Sequence, residues 1–273
     1  MNLSSKPRFF STTMTRIEDL SRENLEDVFK VCSYNRLDDH VQRRGMSLKR
    51  AWLLMMLDEY GPCTKIAYQE DRPVAQALFF PEESVPFIPQ PREDVVLLNC
   101  VYNPFLEVQG RGVATALVNE LIDECRTGLP CLGGDPCSFI AAKPFETGEG
   151  ISLRDFYARL GFVDGSFESY LEITGDYMPR ESGRYVPLKE DEGRVVVFYD
   201  VMCEWGYGMA LRVRDAIYDV DPEISVELID PWERPEEYVR RGNQWLVVNA
   251  KPIKSFVTDR DNFEAEILGA LQG

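Results

Sequence analysis

Apolar residues recur at helical spacing in four segments of the first 160 residues. Because side chains three and four positions apart share one face of a helix, this spacing predicts amphipathic helices. The four predicted helices are Asp19 to Cys32, Ser47 to Tyr60, Val113 to Cys125 and Leu153 to Leu160. Gly61 and Pro62 end the second of them, since glycine and proline are the strongest helix breakers.

Short apolar runs between these helices predict strands. They are Thr64 to Tyr68, Pro73 to Phe80, Val95 to Val101, Ser138 to Ala142 and Tyr170 to Thr174. The first two runs are separated by four polar residues, 69 to 72, which favours an antiparallel hairpin. The near-continuous apolar run Val95 to Val101 is typical of a central strand that is buried on both faces.

The segment Gly175 to Gly193 contains two prolines, three glycines and several charges but no apolar periodicity, so we predict a linker there. A boundary near residue 185 divides the chain into domains 1–185 and 186–273. In the second domain the pattern predicts the order β-α-β-α-β-β-α. The predicted elements are Val195 to Tyr199, Tyr207 to Tyr218, Ile224 to Ile229, Glu236 to Arg240, Trp245 to Val248, Ile253 to Val257 and Asn262 to Leu271.

Composition and charge narrow the class of protein. With 44% hydrophobic and 28% charged residues, the chain has the composition of an ordinary globular protein. Its 273 residues are enough for two domains, each with its own hydrophobic core. The formal net charge of −16 repels phosphate backbones and anionic lipid surfaces. We therefore expect no nucleic-acid partner and no membrane partner, although a local basic patch is compatible with a small anion.

The N-terminal segment Met1 to Thr15 has no apolar run of signal-peptide length, and no stretch approaches a membrane span. Seven cysteines form an odd and sparse set, so reduced thiols are expected instead of a secreted disulfide framework. These features predict a cytoplasmic protein.

The segment Gln109 to Ala114 carries the first chemical motif. Gln109, Gly110, Arg111, Gly112, Val113 and Ala114 fit the pattern Gln/Arg, any two residues, Gly, any residue, Gly/Ala. The motif follows a predicted buried strand and opens a predicted helix, so several backbone N–H groups and the positive helix end point at one place. Such a turn suits a phosphate. The alternative is a purely structural strand-to-helix turn, in which the glycines are present for steric reasons only.

A second motif lies 43 residues on. Tyr157-Ala158-Arg159-Leu160-Gly161-Phe162 has the form Y-x-x-x-G-F, in which a helix ends at glycine and a strand follows. With both motifs in this order, residues 15 to 175 resemble the acetyl-CoA-dependent N-acetyltransferase superfamily, abbreviated GNAT. The resemblance implies an α/β (α+β) fold with a mixed central sheet.

The resemblance also implies a site for acetyl-CoA as co-substrate. The strand Leu97 to Val101 would splay from its neighbour, and its backbone at Cys100 and Val101 would hydrogen-bond the pantetheine. Backbone of residues 109 to 114 would bind the pyrophosphate. A tyrosine at the position of Tyr157 often protonates the departing thiolate in that family, a general-acid task, or else packs in the core.

The chain departs from the family at one position. Many members have Asn seven residues before the tyrosine, where this chain has Gly150, and Ser152 is the candidate substitute in the cofactor site. No general base stands out. Asn99 and Cys100 lie on the expected strand, and Glu107 and Glu146 lie in flanking loops.

The C-terminal domain resembles the YoaP-like, thioredoxin-like domain fused to some acetyltransferases, through its element order and the segment Asn249 to Ile253. Cys203 lies in the strand-to-helix turn where thioredoxin-like domains keep their redox motif, but the second position is Gly206. A lone cysteine at a helix N-terminus can have a lowered pKa and react as a thiolate. Without a resolving cysteine, dithiol oxidoreduction is disfavoured.

Metal chemistry is not expected. His40 is the only histidine and is interpreted as a solvated helix-start residue, with a substrate-pocket role as the alternative. Cys125, Cys131 and Cys137 stand six residues apart, a spacing that matches no familiar zinc pattern.

Direct acetyl transfer from acetyl-CoA to a primary amine, small-molecule or peptide, is therefore the leading hypothesis. The acidic surface favours a cationic amine by steering, whereas the acceptor and the oligomeric state are not fixed by the sequence. The alternatives are a thiol-redox or thiol-binding protein centred on Cys203 and a CoA-binding protein without catalysis.

Overall fold

The computed structural model describes residues 14–144, 151–180 and 183–272. Within these ranges two β-sheets, of seven and four strands, follow one another along the chain, together with seven α-helices. The mixed α/β class that the resemblance implies is confirmed.

The first sheet has the order β1-β2-β3-β4-β5-β7-β6, with β4 at its centre. Its strands are β1 (Arg16–Asp19), β2 (Thr64–Gln69), β3 (Arg72–Pro81), β4 (Val95–Tyr102), β5 (Phe139–Ala142), β6 (Val163–Asp164) and β7 (Ser169–Glu172). β4 and β5 run parallel, and every other neighbouring pair in the described sheet is antiparallel. The sheet is mixed, as the resemblance implies.

The predicted hairpin is confirmed and its loop is shorter than expected. β2 and β3 pair antiparallel, and only Glu70 and Asp71 connect them, with φ of 50° and 62°. Two left-handed residues give a turn whose twist matches that of the flanking strands. Gln69 and Arg72 therefore belong to the strands and pair with each other.

Four helices accompany this sheet: α1 (Leu25–Cys32), α2 (His40–Glu59), α3 (Val113–Thr127) and α4 (Leu153–Arg159). The prediction of a helix from Asp19 was wrong, because Asp19 ends β1 and Asn24 Oδ1 accepts the N–H of Ser21 in a turn. α2 begins seven residues before the predicted start. Asp39 caps it by accepting the N–H of Gln42 at 2.9 Å.

The second sheet has the order β11-β10-β8-β9, with β8 and β9 parallel. The elements are β8 (Arg194–Phe198), α5 (Gly206–Val220), β9 (Ser225–Ile229), α6 (Pro235–Arg240), β10 (Leu246–Val248), β11 (Lys251–Pro252) and α7 (Arg260–Leu271). The predicted order β-α-β-α-β-β-α is confirmed. The predicted strand from Ile253 to Val257 was wrong, because the N–H groups of Lys254 and Ser255 donate to the Glu266 carboxylate.

The segment before the second sheet is fixed by a buried ion pair. Asp191 and Arg241 are fully buried and lie 2.6 Å apart, and the hydroxyl of Tyr185 donates to Asp191 at 3.1 Å. Burying two charges is tolerated only when they satisfy each other with good geometry. The end of the predicted linker is therefore packed against α6, and the boundary near residue 185 stays a prediction.

The loop 199–205, between β8 and α5, packs into the first unit, and we call this contact the junction. Val201 and Met202 are buried in the same hydrophobic core as β2, β3 and β4. A Cβ atom at Gly45 in α2 would lie 1.9 Å from the backbone oxygen of Glu204. Such a close approach of backbone to helix is possible only at glycine.

Candidate functional site

The central strand β4 continues past the end of its parallel neighbour. β5 pairs with β4 only as far as Leu98, opposite Ala142. Among the described residues, Asn99, Cys100 and Val101 have no partner strand on that side, and all three are half-buried. Backbone groups in such a position are available to a ligand that lies along the strand.

A β-bulge separates the two halves of β4. On β3 the consecutive residues Leu78 and Phe79 pair with Cys100 and Leu98, so Asn99 is the extra residue. A bulge bends its strand and increases the local twist. The bulge lies where pairing with β5 ends, in the strand for which the resemblance implies a splay.

The turn that links β4 to α3 contains two left-handed glycines beside open space. Gly110 and Gly112 have φ of 71° and 80°, the left-handed region, and Gly112 is the residue before α3. A Cβ atom at either glycine would meet no atom within 4 Å, so their backbone faces open space. The first N–H groups of a helix lack intrahelical acceptors, and those of Val113 and Ala114 open α3 beside this space.

The flanking side chains complete the turn. Gln109 Nε2 donates to the backbone oxygen of Asn103 at 3.0 Å and closes the loop that precedes the turn. Arg111 is exposed and has no carboxylate within 4 Å in the described part of the chain, whereas Val113, the first residue of α3, is buried. The six predicted residues therefore form one turn. The glycines leave open space beside the backbone, and the buried side chain of Val113 packs the start of α3 against the core.

Tyr157 is buried in α4 with its hydroxyl unpartnered. Its side chain is 1% exposed, and its ring contacts Phe156 and Phe162. Among the described residues, its hydroxyl oxygen has no hydrogen-bond partner. Burial, with a smaller contribution from Cys100 on β4, raises the pKa of Tyr157 above its usual value. The hydroxyl therefore keeps its proton at neutral pH, and it lies next to the half of β4 that β5 leaves unpaired.

The helix that carries Tyr157 ends as the second motif predicts. α4 stops at Arg159, Gly161 is left-handed with φ of 91°, and the N–H of Phe162 donates to the backbone oxygen of Tyr157 at 3.1 Å. β6 follows at once. Ser152 is the residue before α4 and accepts the N–H of Phe156 through its backbone oxygen, and its predicted role toward a cofactor stays a prediction.

Of the residues considered as a general base, Asn99, Cys100 and Glu107 have surroundings that do not favour that role. Burial raises the pKa of Cys100 to about 11, so this thiol is protonated at neutral pH. Glu107 is exposed and pairs with Arg72 at 2.9 Å. Asn99 occupies the bulge and has no titratable group. Glu146 and Gly150 lie outside the described residues.

The junction brings a buried ion pair to this site, and the sequence patterns did not reveal it. Lys49 of α2 and Glu204 of the loop 199–205 lie 2.8 Å apart, with exposed side-chain fractions of 3% and 0%. Ser33 Oγ donates to the other oxygen of Glu204 at 3.1 Å, and Trp205 Nε1 donates to the backbone oxygen of Cys32 at 3.2 Å. The sequence contains one signal for this pair: Lys49 is an isolated polar residue on an otherwise apolar face of the predicted helix.

Cys203 does not have the reactive environment considered from the sequence. It precedes α5 by three residues instead of standing at its first turn. Burial is the largest influence and raises its pKa to about 12, helped by the neighbouring Glu204 carboxylate. The hypothesis of a lowered thiol pKa at Cys203 was wrong, because desolvation disfavours the thiolate.

The remaining sequence candidates occupy structural positions. His40 is the first residue of α2, exposed to solvent, as predicted for a helix-start residue. Cys125, Cys131 and Cys137 are buried, and the N–H of Cys137 donates to the backbone oxygen of Cys125 at 2.8 Å. In the described ranges no group of three or more His, Cys, Asp or Glu is arranged to hold a metal ion.

Two surface depressions, of about 550 and 330 Å³, lie beside this site instead of within it. The first is bounded by β1 and α3, and the second by α1, the start of β3 and Phe105. Neither is lined by Cys100, Tyr157 or Gly112. In the parts of the chain described, no helix has the length and apolarity that a membrane crossing requires.

Comparisons with known proteins give only distant likenesses. No protein-family model matches the sequence, and no curated protein does. Many solved structures overlay on part of the chain, and three of them illustrate the likeness. Ard1 from Thermoplasma volcanium has a TM-score of 0.40 at 12% identity, covering 58% of this chain and 97% of its own.

A GNAT-family acetyltransferase from Brucella melitensis, solved in complex with acetyl-CoA, has a TM-score of 0.40 at 13% identity. The overlay covers 62% of this chain and 93% of the acetyltransferase. The ribosomal-protein-S18-alanine N-acetyltransferase from Escherichia coli has a TM-score of 0.40 at 14% identity. That overlay covers 62% of this chain and 99% of the E. coli enzyme. At these scores and identities, the function of this chain has to be inferred from its own site.

Proposed function

We propose that the chain binds acetyl-CoA and transfers its acetyl group to a primary amine. The observation that carries the proposal is the buried hydroxyl of Tyr157, which has no hydrogen-bond partner among the described residues and lies beside Cys100 on the unpaired half of β4. An unsatisfied buried hydroxyl costs about 1–3 kcal/mol, so a role toward a bound ligand explains its presence.

The parts of the site form a line along one strand. The half of β4 beyond Leu98 offers backbone groups to the pantetheine, and the open left-handed glycines at residues 110 and 112 offer N–H groups to the pyrophosphate. At the other end, Tyr157 would protonate the sulfur that leaves as the thioester breaks. Acid catalysis of this kind contributes about 10²–10⁴-fold.

The C-terminal unit is proposed to be thioredoxin-like and non-redox. Its order β-α-β-α-β-β-α, with β8 parallel to β9 and antiparallel to β10, supports the first part. The second part follows from Gly206 in place of a second cysteine and from the protonated thiol of Cys203.

Binding is tested by the thermal unfolding of the full chain with and without acetyl-CoA. A ligand that binds only the folded state raises the unfolding temperature by mass action. Gly112→Glu should abolish the shift, because it places bulk and like charge in the anion space. Gly133→Glu is the matched control: Gly133 is also left-handed, exposed and open to added atoms, but lies in the turn before β5.

Equal shifts in both glycine variants would show that the turn at 109 to 114 is only structural. No shift in the wild-type chain at saturating acetyl-CoA would refute the proposed function.

Catalysis is tested by release of CoA from acetyl-CoA with a panel of amines. Tyr157→Phe removes the hydroxyl without changing the shape of the core, so acetyl-CoA binding should persist while kcat falls by about 10²–10⁴-fold. Unchanged kcat across the pH range would refute the acid role. Binding without turnover for every amine would instead favour a CoA-binding protein without catalysis.

A further inference from the structure

Asn99 stands at the point where the two central strands separate. β5 pairs with β4 as far as Leu98, opposite Ala142, and Asn99 is both the next residue of β4 and the extra residue of its bulge. Consecutive Cα atoms are about 3.8 Å apart, so the Cα of Asn99 lies at that distance from the last paired residue. Asn99 therefore occupies the closed end of the gap between the strands.

The open end of that gap faces the turn at 109 to 114. Tyr102 ends β4, and the loop that follows, closed by the hydrogen bond from Gln109 to Asn103, leads to the two left-handed glycines. With a rise of about 3.4 Å per residue, β4 is about 10 Å long from Asn99 to Tyr102, which is shorter than an extended pantetheine arm. An arm held at the turn by its pyrophosphate therefore runs inward along β4, and its acyl end reaches Asn99.

The side chain of Asn99 is an exception in its strand. Of the eight residues of β4, Asn99 is the only one that carries a side-chain carbonyl group. Asparagine is depleted in strands, and a partly buried amide without a partner costs free energy. Departures of this kind are expected at functional sites, and bulges beside active sites re-aim a side chain.

The fully buried amides of the first unit, within the described ranges, are engaged. Gln42 Nε2 donates to Ser33 Oγ at 2.8 Å, and Gln76 Nε2 donates to the thiol of Cys32. Asn99 is half-buried, and no side chain or backbone group of the described residues forms a hydrogen bond with its amide. The amide is therefore available to a ligand in the gap.

The two reactants need different partners there. The pantetheine arm has both amide N–H and carbonyl groups, which match the backbone groups of the unpaired half of β4. A primary amine brings N–H donors, and an acceptor beside the thioester carbon holds one of them while the lone pair faces that carbon. The thiol of Cys100 is a weak acceptor and Val101 has none, so Asn99 Oδ1 is the acceptor in the required position.

We propose that Asn99 Oδ1 accepts an N–H of the amine and directs its lone pair at the thioester carbon, which makes Asn99 a catalytic residue. This role rests on the proposed function. The lone pair of the neutral amine forms the C–N bond, and the C–S bond breaks with its electron pair on sulfur, which takes the proton of Tyr157. The nitrogen releases one proton to water, and water returns one to Tyr157. Asn99 itself takes no proton.

The test is steady-state kinetics of the full chain at pH 8.5, with acetyl-CoA and three probe amines: n-butylamine, spermidine and alanine amide. Asn99→Leu keeps the size of the side chain and removes the acceptor. We expect kcat/KM for the amine to fall by about 10- to 100-fold, because one hydrogen bond and the alignment of the lone pair are lost. KM for acetyl-CoA should not change, since the backbone that holds the pantetheine is the same.

Asn99→Asp separates the oxygen of the amide from its nitrogen. A carboxylate has the same shape and accepts an N–H, but it donates none, so Asn99→Asp should keep more than about a third of the wild-type kcat/KM for the amine. A fall as large as that in Asn99→Leu would show that Nδ2 acts instead, on the thioester carbonyl, and would overturn the proposal.

Thr64→Val is the matched control. Thr64 is 1% exposed, and its hydroxyl also has no hydrogen-bond partner in the described part of the chain, but it lies on β2, which β3 separates from β4. Removing this hydroxyl should leave kcat/KM unchanged for every probe amine. A fall equal to that in Asn99→Leu would attribute the loss to the sheet as a whole and refute the role of Asn99.

The outcomes separate the two proposals. If the wild-type chain transfers acetyl and Asn99→Leu, folded by circular dichroism, keeps its kcat/KM, the role of Asn99 is refuted and the proposed function stands. If the wild-type chain shows no binding of acetyl-CoA, both proposals fall. If it binds acetyl-CoA and acetylates none of the three amines, the role of Asn99 falls and the acetyl-CoA site stands. Should Asn99→Leu not fold, Asn99→Ala takes its place, and an unchanged kcat/KM in that variant would refute the role.

Discussion

Replacement of Lys49 by methionine tests the junction through its most buried contact. The ammonium of Lys49 lies 2.8 Å from Glu204, and removing it leaves the Glu204 carboxylate fully buried with the hydroxyl of Ser33 at 3.1 Å. Breaking a buried pair by removing one partner costs about 3–5 kcal/mol, because an uncompensated charge remains. We expect Lys49→Met to lower the free energy of unfolding by that amount.

A control variant and a double replacement test whether this loss of stability comes from the buried ion pair. Arg50, the next residue of α2, pairs with Glu26 at 2.7 Å, and the Glu26 side chain is 59% exposed. Exposed pairs contribute about 0–1 kcal/mol, so Arg50→Met should cost no more than that. The double replacement Lys49→Met with Glu204→Met removes both charges and should recover most of the stability, since apolar pairs of similar volume are often as stable.

The assay is urea unfolding at pH 8, followed by tryptophan fluorescence, because Trp52, Trp205 and Trp232 lie at or near the junction. Burial alone lowers the pKa of Lys49, but the Glu204 carboxylate outweighs it and the pKa is raised. The lysine is therefore charged in the folded chain, and below its ordinary pKa of about 10.4 it is charged in the unfolded chain too. A cost for Lys49→Met no larger than that for Arg50→Met would refute the buried junction.

Two further predictions concern the same contact. Gly45→Ala should destabilise by about 1–3 kcal/mol in the same urea assay, although alanine favours helices, because its Cβ would lie 1.9 Å from the Glu204 oxygen. A gain in stability would contradict the packing of α2 on this loop. Cys203→Ser should leave kcat for acetyl transfer within about threefold, since a thiol of pKa about 12 is no nucleophile at neutral pH. A loss beyond tenfold would tie the thiol to the chemistry.

Local patterns were sufficient for most elements. The apolar run of β4, the hairpin of β2 and β3, and the order of the second unit were predicted because side-chain periodicity is a property of neighbouring residues. The motifs at 109 to 114 and 157 to 162 were also placed correctly as a strand-to-helix turn and a helix end. The errors near β1 and β11 arose where the side chain of Asn24 or Glu266 accepts a hydrogen bond from a backbone N–H group and so fixes the backbone.

The tertiary structure decided what surrounds the reactive groups. The sequence shows Lys49 and Glu204 as two charged residues 155 positions apart, and only packing places them in one buried pair. It shows Tyr157 on a helix, and only the packing shows that its hydroxyl is buried with no hydrogen-bond partner in the part of the chain that the structure describes. Desolvation, which raised the pKa of Cys203 instead of lowering it, depends on every atom that excludes water, and those atoms come from residues far apart in the chain.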